Sequence, residues 1–212
     1  ERWKLNQAIS AAVELQRGEA ESEESYGRRL VERSEALRNE AARLGTEVHD
    51  GIERMIGGRL WNERCPIQQK FSLWAADNIK AQEWTERVLV NHKLGVAGKA
   101  DAMIYFKGKA AEVCGDGPVL VDWKTQKMKK SRAKVPVYKP TYYNKWVMQL
   151  AFYRSCEMVP PPVVSVAINT TEAEEPYLKL WTPEEVAEAF EAFKAALKLW
   201  QYEKNYKPNK EI

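Results

Sequence analysis

Pro118-Val119-Leu120-Val121-Asp122-Trp123-Lys124-Thr125 is the stretch that decides the fold. Side chains on an extended strand alternate between faces, so Asp122 and Lys124 share one side while Val121, Trp123 and Thr125 share the other. A carboxylate and an ammonium are thereby set side by side within an apolar run. Upstream, Asp101 in Gly98-Lys99-Ala100-Asp101 ends a second apolar stretch, at a spacing that suits two strands joined by a hairpin. Two acids and a lysine then converge on one point. Burying such groups costs several kcal/mol unless they are paired or bind a metal. A structural salt bridge would account for Asp122 and Lys124, but not for Asp101.

That convergence has a chemical use. Phosphodiester cleavage needs a divalent cation to activate water and to neutralise charge on the phosphoryl oxygens. Asp101 and Asp122 offer hard carboxylate oxygens to Mg2+ or Mn2+, and the backbone carbonyl of Trp123 can add another. Lys124 falls beside the attacking water. A free lysine titrates near about 10.4, so it is a general base only if metal and burial depress that value. Otherwise it orients the water and stabilises developing charge. Sequence alone leaves both roles open.

Downstream, Gln149-Leu150-Ala151-Phe152-Tyr153 lies in a segment, Asn144 to Cys156, that reads as a helix. Gln149 and Tyr153 then share a face, with Lys145 and Trp146 nearby. A buried amide needs partners, and the Asp122–Lys124 strand can provide them. Between strand and helix runs Lys127-Met128-Lys129-Lys130-Ser131-Arg132-Ala133-Lys134, followed by a tyrosine-rich piece ending at Tyr142 and Tyr143. Cations interleaved with aromatics suit nucleic acid, the first holding phosphates and the second stacking on unpaired bases. The expectation is a loop or arch that gates entry of a single strand, with Lys127, Lys129, Lys130, Arg132, Lys134, Tyr142 and Tyr143 in contact with it. Nearer the N-terminus, Leu44, Val48, Ile52, Met55 and Ile56 recur at helical spacing and form an inward stripe with His49 at its edge. His92 reads as an exposed hairpin residue.

In the order and spacing of these pieces the chain resembles the PD-(D/E)xK nuclease superfamily, and within it the RecB-like exonucleases, including phage and mitochondrial single-strand exonucleases. The family's helical G-x-x-x-H falls on Gly45 to His49, its G-x-x-D on Gly98 to Asp101, its D-x-K-T on Asp122 to Thr125 and its Q-x-x-x-Y on Gln149 and Tyr153. The resemblance covers residues of about 44 to 170 and is carried by the set of motifs, each of which is weak alone. It implies a restriction-endonuclease-like α/β core, a mixed central β-sheet flanked by helices, preceded by an N-terminal helical region. It also implies that His49 joins Asp101 and Asp122 in the metal shell, favouring Mn2+ somewhat more than an all-oxygen site would. Lys124 is then the catalytic lysine, Gln149 and Tyr153 support it, and Glu86 is the acid on the strand before G-x-x-D. Some relatives in this family carry an iron–sulfur cluster, which needs four thiolates. The 3 cysteines here, widely spaced, do not supply them.

Composition agrees. A chain of 212 residues, 44% hydrophobic, suffices for one globular domain with a substantial core, read as a helical region over 1–43 and a nuclease core with a C-terminal helix over 44–212. A net charge of +3 is mild, so nucleic-acid contact depends on local basic patches. No apolar run is long enough for a membrane span and no signal peptide opens the chain, although it begins at Glu1 and a removed targeting segment stays open. The coarse reading places helices from about Leu5 to Ile56 with breaks near Gly18 and Gly45, a helix or irregular cover from Phe71 to Trp84, and strands at Thr85–Val90, Gly95–Phe106, Val119–Thr125, Val163–Asn169 and Tyr177–Trp181. Thr182-Pro183-Glu184-Glu185 is a capping box that starts a last helix, facing Val186, Phe190, Phe193, Leu197 and Trp200 inward. The function expected is a metal-dependent exonuclease acting on single-stranded DNA or DNA ends in recombination, repair or replication, with a recombination or single-strand-binding protein as partner. A cytoplasmic setting in a bacterium or phage-infected host is implied by the resemblance, a mitochondrial one being the alternative. The competing classes are an inactive nucleic-acid-binding accessory and a metal-dependent hydrolase of small phosphate esters.

Overall fold

The computed structural model describes residues 2–131 and 137–208, with side chains from Ala8 onward. The chain gathers into two compact units, 1–47 and 48–212. The first holds α1 (Arg2–Glu14) and the opening turns of α2 (Glu23–Ile56). Ser22 starts α2 by accepting the Ser25 N–H on its Oγ at 3.2 Å, and Glu23 and Glu24 occupy the first turn, where the helix dipole favours acids. Tyr26 OH donates to Leu15 O at 2.9 Å and Arg33 pairs with Glu14 at 2.6 Å, which fixes the connection that passes Gly18. The break expected near Gly45 is absent. A lone glycine costs a helix about 1 kcal/mol against alanine, and the helix formers Ala41, Ala42 and Leu44 beside it carry the turn through.

The second unit begins with the end of α2 and continues through α3 (Pro66–Asn78), β1 (Ile79–Asn91), β2 (Val96–Phe106), α4 (Gly108–Cys114) and β3 (Pro118–Gln126). It is completed by the short β4 (Lys129–Lys130) and β5 (Tyr138–Lys139), then α5 (Asn144–Arg154), β6 (Val163–Asn169), β7 (Tyr177–Leu180) and α6 (Pro183–Glu203). Five strands form one sheet in the order β1-β2-β3-β6-β7, with β3 and β6 parallel and the other neighbours antiparallel. This is a mixed α/β fold with flanking helices and an N-terminal helical region, as the sequence implies. β6 is buried at every position, which its valine-rich run Val163-Val164-Ser165-Val166 suits, because a parallel pairing is covered on both faces.

Covering layers follow from strand alternation. Leu120 on one face of β3 packs with Val147, Leu150 and Ala151 of α5 and with Val186 and Ala189 of α6. Trp123 on the other face meets Phe71 of α3 edge-on, ring centroids 5.4 Å apart. The end of α2 lies against α3 at Gly51, where an added Cβ would fall 2.2 Å from the Gln68 side chain.

Three boundaries differ from expectation. β1 starts at Ile79, inside the stretch expected as helix or irregular cover, because pairing with the far end of β2 outweighs the weak strand preference of Lys80-Ala81-Gln82-Glu83. α4 carries no periodic signal in its short run, and Asn78 anchors it through Oδ1, which accepts the Ala110 N–H at 3.0 Å. Thr182 and Glu185 form the expected capping box, but Trp200 is 47% exposed rather than inward. The last turns of α6 lead to the β1–β2 turn, where Gln201 Nε2 donates to Leu94 O and Trp200 rests on Tyr206. His92 lies in that turn and is exposed.

Candidate active site

The β2–β3 ladder sets the site. Met103 pairs with Leu120 and Ala102 with Val121, so the next positions, Asp101 and Asp122, are cross-strand neighbours on the face that α5 covers. The ladder ends there, and Asp101 takes over from the missing backbone partner. Its Oδ2 accepts the Trp123 N–H at 2.8 Å. Lys124, two residues past Asp122, returns along the same face and donates to Asp122 Oδ1 at 2.6 Å and to Gln149 Oε1 at 3.2 Å. Gln149 Nε2 donates to the Tyr153 hydroxyl at 3.0 Å, and that hydroxyl donates to Lys99 O at 2.7 Å. The chain of bonds ties the lysine, through α5, back to the Gly98–Asp101 segment of β2.

Gly98 makes that closure possible. A Cβ there would lie 2.8 Å from a ring carbon of Tyr153, so the tyrosine reaches Lys99 O only because the strand has no side chain at this point.

Asp122 is the electrostatic centre. Only 2% of its side chain is exposed, and Oδ2 is buried with no hydrogen-bond partner. Burial pushes its pKa up, the Lys124 ammonium pulls it down and the charge of Asp101 pushes it up again, with a net rise to about 7. The ion pair is thus real but insufficient. A carboxylate with one orphaned oxygen calls for a proton or a cation.

His49 stands on the buried stripe of α2, beside Val48 and Ile52, and its Nε2–H donates to Trp123 O at 2.7 Å. That contact brings the expected histidine and the expected carbonyl together, and it fixes the proton on Nε2. Metal ligation through Nε2 needs the other tautomer. Among the described residues no three His, Cys, Asp or Glu side chains are gathered as a metal cluster, so a cation here would draw on backbone oxygen and water as well as on the two acids. The orphaned Asp122 Oδ2, the neighbouring Asp101 and the Trp123 carbonyl fit such an ion. Glu86 lies opposite Asp101 in the β1–β2 register, at φ 54, but its carboxylate is held by Lys99. It is next to the site without joining the Lys124 network.

The basic segment divides. β4 and β5 pair as a small ladder, closed by Ser131 N–H donating to Val137 O at 2.7 Å. Lys127 and Lys129 are exposed. Lys130 pairs with Glu172 at 3.3 Å, and Tyr138 OH donates to the same carboxylate at 2.7 Å. Arg132 and Lys134 lie outside the described residues. Tyr143 is 47% exposed with the Lys145 ammonium 5.6 Å from its ring centroid, which leaves it available for stacking. Tyr142 instead meets Trp146 and Trp181 edge-on at 6.1 and 6.3 Å, and burial pushes its hydroxyl up to about 12. Its ring is part of the packing between α5 and the sheet.

Two features escaped the sequence. Glu172, the partner of Lys130, is remote in the chain and belongs to no motif. An open hollow of about 310 Å³ beside Gln149 is lined by α5 and β2 and by Phe193 of the last helix. The only forewarning was the inward stripe of α6. No protein-family model and no curated protein matches the chain. Among the described residues no helix is long and apolar enough to cross a membrane.

Proposed function

We propose that the protein is a metal-dependent deoxyribonuclease, an exonuclease acting on single-stranded DNA or DNA ends in recombination, repair or replication. The observation that carries this reading is the buried Asp122, paired with Lys124 yet left with an orphaned oxygen, beside Asp101 and the Trp123 carbonyl. Mg2+ or Mn2+ held by these oxygens, with His49 alongside, would supply Lewis acidity toward a scissile phosphate and its attacking water.

The chain's own groups do the rest. Lys124 donates to Asp122 and to Gln149, which poises its ammonium to orient water and neutralise charge on phosphoryl oxygens. Gln149 and Tyr153 hold that ammonium in place through the bond to Lys99 O. Lys127 and Lys129 offer phosphate contacts next to the site, and Tyr143 offers a ring face. A small-phosphate hydrolase would leave this basic segment without a task, and an inactive binding module would not need the Lys124 network.

The test is cleavage of end-labelled linear and circular DNA, single- and double-stranded, with Mg2+, Mn2+ or EDTA. Metal-dependent loss of linear single strands, absent for Asp122→Ala and Lys124→Ala, is expected. Tight binding without cleavage under any metal would overturn the reading in favour of the binding module.

A further inference from the structure

Two lysines meet on the β4–β5 ladder without a counterion. Its register sets Lys129 directly opposite Lys139 and Lys130 directly opposite Tyr138. Strand alternation turns the two pairs to opposite faces. The face of Lys130 and Tyr138 is closed on itself: both meet the Glu172 carboxylate from the β6–β7 loop, and the Lys130 ammonium lies 5.1 Å from the Tyr138 ring centroid. The other face has no such partner. Lys129 and Lys139 are exposed, and among the described residues no acid pairs with either. Like charges directly opposite, with Cβ atoms about 5 Å apart, destabilise a ladder. A hairpin this short does not hold them there by itself, and the fold braces it from outside. The Gln126 amide accepts the Thr141 N–H at 3.0 Å and donates to Thr141 O at 3.4 Å, which closes the base of the hairpin. Thr171 Oγ1 accepts the Met128 N–H and donates to Met128 O, both at 3.1 Å, and Met128 itself is buried.

We infer that Lys129 and Lys139 together grip one phosphate of the bound DNA strand, a short way from the phosphate that meets Lys124. The inference rests on the nuclease reading and names where the backbone of the substrate is held. Lys139 enters as a residue that no motif marks. Three observations select the occupant. The opposed ammonium groups carry a repulsion that the chain's own residues do not offset, whereas an anion between them does. The braces at Thr141 and Met128 keep the pair in place before anything binds, so little ordering is lost on binding. Only Lys127 and Met128 separate β3 from β4, and the five residues from Lys124 to Lys129 reach at most about 17 Å. A strand held at Lys124 therefore passes within range of the pair. Lysines meet phosphate rather than base edges, so the contact fixes the register of the strand without selecting sequence.

The test is the salt dependence of binding to a fluorescent single strand in EDTA, for wild type, Lys129→Met, Lys139→Met, the double variant and Lys109→Met. Lys109 is exposed on α4, which leads into the opposite end of β3, and gives the same change in charge away from the hairpin. The double variant should lose about 0.7 of the log–log slope, the share of one single-strand phosphate. Each single variant should lose most of that, because two lysines on one phosphate act as a unit. Lys109→Met should match wild type. Relief of the opposed charges should show without DNA as well: each single variant should raise the Tm in low salt, whereas loss of a structural pair would lower it. A slope unchanged in the double variant, or a Tm lowered in both single variants, would overturn the assignment. Losses that add to about 1.4 would overturn the shared grip, giving each lysine its own phosphate. A labelled poly-glutamate peptide that binds the double variant more weakly, while the strand does not, would overturn it in favour of an acidic protein. Cleavage of the same strand in Mn2+ reports separately on the nuclease. Cutting with an unchanged slope overturns the lysine pair alone, whereas a lowered slope without cutting under any metal overturns the nuclease and keeps the pair.

Discussion

Two lysine–carboxylate pairs in this molecule are alike in chemistry and opposite in consequence. Lys124 and Asp122 have side chains 20% and 2% exposed, whereas Lys130 and Glu172 are 54% and 57% exposed. On the surface, hydrogen bonds from Tyr138 and Lys130 pull the Glu172 pKa down, as in an ordinary solvated pair. In the sheet, burial outweighs the same kind of partner and pushes Asp122 up to about 7. The difference teaches that depth, not pairing, decides whether an ion pair is self-sufficient. The surface carboxylate has the Tyr138 hydroxyl as well as Lys130 and stands in solvent, while the buried one still lacks a partner for Asp122 Oδ2.

Replacing the lysines should break the comparison most visibly. Lys124→Met should lower metal-dependent cleavage by on the order of 100-fold or more, the scale of losing a transition-state donor, while Lys130→Met leaves the cleavage rate of bound strand unchanged in single-turnover assays. Stability should separate them too. Removing one partner of a buried pair costs about 3 kcal/mol or more, so Lys124→Met should lower the denaturation midpoint strongly at pH 8 and less at pH 5, where Asp122 holds a proton. Lys130→Met should hardly move it at either pH.

Gly98→Ala comes next. The methyl would push against the Tyr153 ring and loosen the Gln149–Lys124 link, and displacements of about 1 Å can cost up to 100-fold in rate. We expect a loss of about tenfold in kcat with little change in strand affinity, measured in single-turnover assays; an unchanged kcat would remove Tyr153 from the supporting network.

The proton linkage of Asp122 gives a smaller, diagnostic effect. Its folded pKa is raised, so its contribution to stability is fully present below about 4, the unfolded value, and is lost as pH rises through about 7. A cation that replaces the proton should therefore raise the Tm more at pH 8 than at pH 5, and not at all in Asp122→Ala. Thermal shifts with Mn2+ at the two pH values check the sign. The smallest effect belongs to Glu172→Gln, which frees Lys130 to meet phosphate. It should tighten single-strand binding and steepen its salt dependence by less than about 0.7 in log–log slope, the share of one phosphate contact.

Much of the site was legible because its parts obey local rules. A period of two placed Asp122 and Lys124 together, a period of 3.6 joined Gln149 to Tyr153 and His49 to the Val48–Ile52 stripe, and a capping box announced α6. The rest depends on what meets from a distance. The early start of β1 follows from its partner strand rather than from Lys80 to Glu83 themselves. Glu172 reaches Lys130 only after β6 has carried the chain back past the end of β3. Tyr142, read as a stacking residue from its basic neighbours, is drawn inward by Trp146 and Trp181. Local sequence registers composition, and burial of a half-polar ring is a tertiary result.

The parallel pairing of β3 with β6 also orders events in time. β2 and β3 are separated by a short helix and can pair early, but β6 must wait until the crossover through α5 has been closed. Contacts that close long loops form slowly because chain entropy is lost before they are rewarded. Gln149, Tyr153 and the strand that completes the burial of Asp122 all arrive with that crossover. The candidate site is therefore expected to form late in folding, which refolding kinetics read at the indole of Trp123, inside its central strand, would check.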